Sequence, residues 1–324
     1  MMTGSGSTFA APLYTRWFDD YRTFTGVQVN YQAIGSGGGI QAISDQLIDF
    51  GATDAPMTDA QLQAAKGGEI LHIPMALGSV VTIVNIPELQ GQSLRFSGET
   101  LAGIFLGTIA RWDDAPIAAD NPGLALPSKD IVVVHRADGS GTTFIWTDYL
   151  SAISPAWKSK VGAATSVNWP TGLGGQGSDG VTNEVTQNPY AIGYVELVYA
   201  IQQKLVPGQV KNQDGNYLMP SIETTTAAAA SLTSIPSDLR MSIVNPPGAN
   251  AYPISGFTWI LAYQNMPEKA KAIALTRLLA WGITDGQKLS PELGYAPLPP
   301  VIIARAEEMI LSVQSGGARA FPGR

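Results

Sequence analysis

Three segments of the chain place small and hydroxyl-bearing residues directly before a helical pattern. They are GSGSTFAAP at 4–12, IGSGGGIQAI at 34–43 and VVVHRADGSGTTFIWTDYL at 132–150. The first N–H groups of a helix have no partner inside the helix, and the helix dipole favours negative charge there. Three helix starts that converge would therefore bind a small anion. Taken singly, each segment is more typical of ordinary helix capping beside glycine than of an anion site.

Particular side chains in these segments suit that chemistry. We expect Ser7 or Thr8 to cap the first helix and Ser140 to cap the third. Arg136 ends an apolar run, and ligands bind at the carboxyl ends of strands in open α/β sheets. Its planar guanidinium matches the oxygens of phosphate, although a surface salt bridge with Asp138 is an alternative interpretation.

An aspartate, Asp54 in DFGATDAPMTD, also belongs to this hypothesis. A carboxylate suits an anion site if the anion itself carries a proton that the carboxylate can accept. Phosphate keeps at least one proton near neutral pH and sulfate keeps none, so Asp54 would favour phosphate and repel sulfate. The alternative is an Asx-type turn before Pro56.

The elements around these segments predict an α/β protein of about two domains for 324 residues. Apolar runs that predict strands alternate with helical patterns; the strand candidates are Val27–Tyr31, Ile70–Ile73, Val80–Ile86, Ile131–Val134, Ala191–Val195 and Phe257–Ala262. The predicted helices include one after Pro12 with Leu13, Trp17, Tyr21 and Phe24 on one face, one with Ile40, Ile43 and Leu47, and two at Glu268–Trp281 and Val301–Val313.

Composition excludes several classes of protein. With no cysteine and two histidines, a disulfide framework and a zinc-thiolate site are excluded, and we expect no metal and no cofactor. The net charge of −7 argues against nucleic-acid binding. The sequence contains no uninterrupted run of eighteen apolar residues, so it predicts no membrane-spanning helix. The chain opens MMTGSGSTF with no signal sequence, so we expect a mature form whose targeting segment has been removed.

Two kinds of enzyme site are weaker interpretations. GLGGQG at 172–177 matches a dinucleotide-binding pattern, but Asn168-Trp169-Pro170 precedes it instead of an apolar strand. His135, Asp138 and Ser140 supply the residue types of a hydrolytic triad, yet no GxSxG turn is present. A phosphoester hydrolase built on the anion site stays open, as does a binding protein for arsenate, sulfate or another oxyanion.

Taken together, the motifs resemble the substrate-binding proteins of the phosphate (Pst) ABC importer, which have the type II periplasmic-binding-protein fold. The resemblance runs from residue 4 to about residue 299, and the matching stretches are GSGSTFAAPLYTRW, VNYQAIGSGGGIQAI, DFGATDAPMTD, IFLGTIARWDD, HRADGSGTTFIWTDYL, NWPTGLGGQGSDG, AIGYVE and LGYAPLP. DFGATDAP and RADGSGTTF are the most specific of these. The region 205–245 matches poorly.

The resemblance implies two α/β lobes, each a mostly parallel sheet flanked by helices, with phosphate in the cleft between them. Lobe I would comprise 1–79 plus 254–324 and lobe II 80–253, closing by hinge motion. The phosphate-binding residues implied by motif are Thr8, Phe9, Ser36, Asp54, Arg136, Ser140, Gly141 and Thr142. Phe9 and Gly141 would donate backbone N–H groups, and Asp138 would hold the arginine in place.

The same resemblance implies a carrier and not an enzyme. Its expected partners are inorganic phosphate and the membrane permease of an ABC importer. We expect a monomer in the periplasm or at the outer face of the cell membrane.

Overall fold

A computed structural model describes residues 1–89 and 91–321 of the protein, and strands and helices alternate along them as the sequence predicts. The strands are β1 (Met2–Gly6), β2 (Val29–Gln32), β3 (Phe50–Thr53), β4 (Ile70–Asn85), β5 (Arg95–Phe96), β6 (Val132–Arg136), β7 (Leu173–Gly175), β8 (Ala191–Glu196), β9 (Gln209–Lys211), β10 (Tyr217–Leu218), β11 (Ser255–Tyr263), β12 (Gln314–Ser315) and β13 (Ala318–Arg319). The α-helices are α1 (Ala11–Thr25), α2 (Ser36–Ser44), α3 (Asp59–Ala64), α4 (Gly98–Phe105), α5 (Ala115–Asp120), α6 (Gly141–Ile153), α7 (Pro155–Lys160), α8 (Gly177–Gln187), α9 (Leu197–Gln202), α10 (Ile222–Ala230), α11 (Lys269–Gly282) and α12 (Pro300–Ser312).

The described residues form two compact units. Unit 1 comprises Met1–Leu77, Thr233–Ser242 and the chain from Phe257 onward, and unit 2 comprises Gly78–Leu232 and Ile243–Gly256. The predicted lobe boundaries at 79/80 and 253/254 remain a prediction. The contacts of residues 233–242 nevertheless group this short segment with unit 1, whereas the predicted lobes place it in lobe II.

Unit 1 contains strands in the order β2-β1-β3-β11. β1 runs parallel to β2 and to β3, while β11 runs antiparallel to β3, with Trp259 opposite Thr53. Helix α1 buries Leu13, Trp17 and Tyr21 as predicted. The indole N–H of Trp17 donates to the carbonyl of Gly286 at 2.9 Å, which ties this helix to the C-terminal part of the unit.

Unit 2 contains strands in the order β4-β8-β6-β7. β8 runs antiparallel to the second half of β4, and β6 runs parallel to both β8 and β7. A smaller sheet has the order β10-β9-β5. Because β6 and β7 are parallel, their carboxyl ends lie at the same edge, where Arg136 and Gly175 pair.

Most predicted strands are confirmed, but one pair is wrong in detail. Ile70–Ile73 and Val80–Ile86 are parts of one strand, β4, which continues through Pro74. Proline is compatible with an extended backbone, so it does not have to interrupt a strand. β4 passes from unit 1 to unit 2 between Leu77 and Gly78, and β11 passes back between Gly256 and Phe257.

The glycine-rich start of the chain is a strand and not a loop. Gly6 has a φ of 138°, and a Cβ atom there would lie 2.0 Å from the carbonyl oxygen of Ala52 in β3. A Cβ atom at Gly39 in α2 would lie 2.6 Å from the Cα atom of Gly6. Glycine is required at these two positions because β1, β3 and α2 approach each other closely.

Three helix details correct the sequence predictions. Ala10 is the N-cap residue of α1 and makes no side-chain capping bond, so neither Ser7 nor Thr8 is the cap. Phe24 and Leu47, predicted on the buried faces of their helices, are 77% and 73% exposed. Leu47 lies beyond the end of α2 at Ser44. Among residues 1–89 and 91–321, no helix has the length and apolar character needed to cross a bilayer.

Candidate functional site

In unit 1, the predicted anion-binding residues lie where β1 and β3 end and where α1 and α2 begin. Thr8 and Phe9 precede α1 and are buried, and Ser36 is the first residue of α2 and fully buried. Asp54 directly follows β3 and is 1% exposed. The parallel strands therefore bring the polar residues of three separate segments to one edge of the sheet.

Hydrogen bonds join two serines to Asp54. The Ser7 hydroxyl lies 2.7 Å from Oδ1 and 2.8 Å from Oδ2, and the Ser36 hydroxyl donates to Oδ2 at 3.3 Å. The alternative reading, an Asx turn before Pro56, does not describe this segment: Thr53 Oγ1 donates to the Ala55 carbonyl and accepts the Ala55 N–H. Asp54 is thus a buried carboxylate held by hydroxyl donors.

In unit 2, Arg136 ends β6 and makes a two-pronged ion pair with Asp138. Nε lies 2.7 Å from Oδ1, and Nη2 lies 2.5 Å from Oδ2. The two side chains are 2% and 9% exposed, so the pair forms but is not the surface salt bridge of the alternative interpretation. The N–H of Gly177 donates to Asp138 Oδ1 at 3.0 Å, and the guanidinium lies 3.4 Å from the Ser178 hydroxyl.

The pKa of Asp138 is set by opposing effects. Burial raises it, but the Arg136 guanidinium and the N–H of Gly177 outweigh burial and hold the pKa below its usual value. Asp138 therefore stays ionised near neutral pH and fixes the plane of the guanidinium.

The start of α6 supplies the remaining predicted residues. Ser140 is the N-cap, as predicted, and its Oγ accepts the N–H of Thr143 at 3.0 Å. Gly141 and Thr142 occupy the first turn, where helix N–H groups have no partner within the helix. Thr142 is 1% exposed, and its hydroxyl has no hydrogen-bond partner among the described residues. A buried hydroxyl without a partner costs free energy unless a ligand bonds to it.

Tyr194 on β8 connects the arginine to the helix. Its hydroxyl accepts the backbone N–H of Arg136 at 3.2 Å and lies 2.6 Å from Thr143 Oγ1. Its ring stacks on Trp146 of α6 with centroids 5.0 Å apart. Burial raises the pKa of Tyr194 to about 12, so the hydroxyl keeps its proton.

We expect Tyr194→Phe to lower the free energy of unfolding by about 1–3 kcal/mol, because it leaves the N–H of Arg136 and the Thr143 hydroxyl without a buried partner. Urea denaturation followed by circular dichroism measures this change. Tyr149→Phe is the matched control: Tyr149 is also fully buried, but its hydroxyl has no hydrogen-bond partner among the described residues. Equal losses in the two variants would contradict a bonding role for Tyr194.

Two residues of the hydrolytic-triad interpretation, His135 and Ser140, make other contacts. His135 Nδ1 lies 3.0 Å from the Arg136 carbonyl, and its ring stacks on Trp169 with centroids 4.7 Å apart. Ser140 serves as a helix cap. Within residues 1–89 and 91–321, no three His, Cys, Asp or Glu side chains lie together as metal ligands would.

Sequence reasoning missed three contributors to these two groups. The sequence indicates only a capping role for Ser7, whereas in the structure its hydroxyl contacts Asp54. Tyr194 lies in AIGYVE, a matching motif to which no role was assigned. Gly177 ends GLGGQG, and its N–H binds Asp138. The only available signal was that each of these residues falls within a motif of the resemblance.

Comparisons with family models and with known proteins agree on one family for this chain. A family model described as a PBP superfamily domain matches residues 1–285. The chain is 43% identical over 307 residues to the phosphate-binding protein PstS of Xylella fastidiosa (strain 9a5c), covering 94% of this chain and 84% of that protein. It is 42% identical over 306 residues to the protein of that name from Haemophilus influenzae, covering 94% and 90%.

Solved structures share the fold at lower sequence identity. A high-affinity periplasmic phosphate-binding protein, PfluDING, solved with bound phosphate, superposes with a TM-score of 0.79 at 19% identity, covering 95% of this chain and 93% of that one. The phosphate-binding protein of Stenotrophomonas maltophilia gives a TM-score of 0.75 at 20% identity with the same coverage. By its sequence and its fold, the chain belongs to the PBP superfamily and, within it, to the PstS phosphate-binding proteins.

Proposed function

We propose that this protein binds inorganic phosphate through the residue groups of both units and delivers it to the permease of an ABC importer. The observation that carries this proposal is the start of α6, where the buried Thr142 hydroxyl and the first-turn N–H groups follow a rigidly held arginine. Such a set of donors suits a tetrahedral oxyanion. The names of the PstS relatives support phosphate as that anion.

The charges of the two groups favour binding by hydrogen bonds over binding by net charge. Asp138 offsets the charge of Arg136, and Asp54 adds a negative charge in unit 1. Neutral N–H and hydroxyl donors must then contribute much of the affinity. A micromolar affinity requires about 8 kcal/mol, and hydrogen bonds to a charged ligand contribute about 1.5–3 kcal/mol each, so several such bonds suffice even after the ligand is desolvated.

Asp54 is the proposed source of selectivity. An ionised carboxylate accepts a hydrogen bond from an anion that carries a proton and repels one that carries none. Phosphate and arsenate meet this requirement near neutral pH, and sulfate does not. We therefore propose discrimination against sulfate, with arsenate as the competing ligand.

A carrier role is favoured over phosphoester hydrolysis by the hydrogen bonds of the candidate nucleophile. The Ser140 hydroxyl accepts the N–H of Thr143 as a helix cap, and the His135 ring is stacked on Trp169. Among residues 1–89 and 91–321, no imidazole or carboxylate is hydrogen-bonded to the Ser140 hydroxyl as a general base would be. We propose a monomer that acts in the periplasm or at the outer face of the cell membrane and binds no nucleic acid.

Calorimetric titration of phosphate, sulfate and arsenate into protein freed of bound ligand near pH 7 tests the proposal. We expect tight one-to-one binding of phosphate and no heat from sulfate at the same concentrations. Equal binding of phosphate and sulfate would remove the role of Asp54, and no phosphate binding would overturn the proposed function.

A further inference from the structure

We propose that Ser7 is a positioning residue that fixes Asp54 as a hydrogen-bond acceptor and thereby sets the preference for phosphate over sulfate. This inference rests on the proposed function and adds a residue that neither the motif resemblance nor the names of the relatives assign. It depends on the direction of the hydrogen bonds around one buried carboxylate.

The hydroxyl of Ser7 has one proton, and its surroundings determine where that proton goes. Its Oγ accepts the backbone N–H of Ala10 at 3.0 Å, so this contact uses an oxygen lone pair. The hydroxyl proton is therefore directed to Asp54, whose two oxygens both lie within 2.8 Å of Oγ. Ser7 is fully buried, so water does not compete for these bonds.

The backbone holds Ser7 in this arrangement from both sides. The Ser7 N–H donates to the Ala52 carbonyl at 2.9 Å, and the phenolic hydroxyl of Tyr31 donates to the Ser7 carbonyl at 2.7 Å. Ala10 is the N-cap of α1. Ser7 thus links the N-terminal end of α1 to Asp54 through a fixed donor chain from the Ala10 N–H to Ser7 Oγ and on to the carboxylate.

Ser36 makes hydrogen bonds to Asp54 in the same direction as Ser7, but over longer distances. Its Oγ accepts the N–H of Asp54 at 3.3 Å and donates to Asp54 Oδ2 at 3.3 Å. Both serines therefore present protons to the carboxylate, and Ser7 makes the shorter contacts.

A proton added to Asp54 would therefore lie beside the hydroxyl proton that Ser7 donates to the same carboxylate. Protonating one oxygen of the carboxyl would leave only the other to accept from Ser7, and a hydrogen bond to a neutral acid is weaker than one to a carboxylate, so the network favours the ionised form. Tyr14 also interacts with Asp54, and burial raises the pKa of Tyr14 well above its ordinary value and keeps it neutral. An ionised Asp54 can only accept, so it bonds to an anion that carries a proton and repels sulfate.

The test measures phosphate and sulfate affinities by calorimetry for the full chain with Ser7→Ala. We expect the ratio of the two affinities to fall about tenfold, because Asp54 can then take up a proton and donate to sulfate. Ser5→Ala is the matched control: Ser5 is a buried serine on β1, two residues before Ser7, and its hydroxyl has no hydrogen-bond partner among the described residues. Its ratio should stay within twofold of that of the unaltered protein. Ser7→Cys keeps a side chain of similar shape but with a weaker hydrogen-bond donor. It replaces Ser7→Ala in this test if the alanine variant does not fold, and the affinity ratio should again fall.

The outcomes separate this inference from the proposed function. If Ser7→Ala weakens phosphate binding but leaves the ratio within twofold, Ser7 is structural and the inference is wrong. An equal shift in Ser5→Ala would also overturn it. If the unaltered protein binds no phosphate, the proposed function itself fails.

Discussion

Replacing Arg136 by alanine should weaken phosphate binding at least a hundredfold. The substitution removes a buried guanidinium whose donors are held in one plane by Asp138, and it leaves that carboxylate buried without its cation. Loss of two charge-assisted hydrogen bonds corresponds to about 3–6 kcal/mol, and a hundredfold change corresponds to about 2.7 kcal/mol. Calorimetric titration with phosphate measures the effect.

Arg240→Ala provides the matched control for this prediction. Arg240 makes a similar pair with the aspartate two residues before it, with Nε 2.8 Å from Asp238 Oδ2, and it also contacts Asp59 and the Met57 carbonyl. None of these partners belongs to the proposed phosphate site. We expect phosphate affinity within threefold of the unaltered protein for Arg240→Ala. A loss of less than tenfold in Arg136→Ala would contradict direct ligand binding by Arg136.

The second large effect concerns stability: Trp259→Ala should lower the free energy of unfolding by about 3–5 kcal/mol. Trp259 on β11 is 1% exposed, and its indole N–H donates to the carbonyl of Leu239 at 3.0 Å. The substitution opens a cavity in unit 1 and removes the hydrogen bond that holds the segment around the buried Leu239. Urea denaturation followed by circular dichroism measures the loss.

Trp259→Phe separates the two contributions to this effect. Phenylalanine keeps most of the buried ring and loses the hydrogen bond, so we expect a smaller loss than for alanine. A loss below about 1 kcal/mol for Trp259→Ala would show that unit 1 repacks around the vacancy and would contradict the prediction.

The strands that the sequence predicted are those whose own residues favour an extended backbone. Val132–Arg136 and Ala191–Glu196 are rich in β-branched or aromatic residues, and most of their residues are buried. The sequence does not predict β1, because its residues MTGSG have little intrinsic strand preference. Its extended form comes from pairing with β2 and β3, which lie far along the chain.

Residues 233–242 show a second limit of sequence reasoning. This segment carries no helix or strand, and it lies in the region that matched the family motifs poorly. Its place in unit 1 depends on Leu239, which is fully buried, and on Arg240, whose partners Met57 and Asp59 are distant in sequence. Local patterns cannot reveal such contacts.

In the candidate site, the predicted positions that are confirmed are those that depend on neighbouring residues in the sequence. Ser140 as the cap of α6 and Arg136 at the end of a strand both follow from neighbouring residues. The contact between Ser7 and Asp54 joins residues 47 positions apart, and it becomes visible only when β1 and β3 lie side by side. The selectivity role of Asp54 is predicted from the sequence, whereas the role of Ser7 follows only from the structure.

The route of the chain through the two units also determines the order in which they can be completed during synthesis. Unit 2 has all its residues once Gly256 is made, whereas unit 1 still lacks everything from Phe257 onward. Until β11 emerges, β3 exposes the edge that β11 later covers, and exposed edges promote pairing with other chains. The interval runs from the synthesis of β3 to the synthesis of β11, and at about 5–20 residues per second it lasts roughly 10–40 s. While unit 2 is being translated, the nascent chain therefore carries an unpaired edge of β3 that can pair with other chains until β11 covers it.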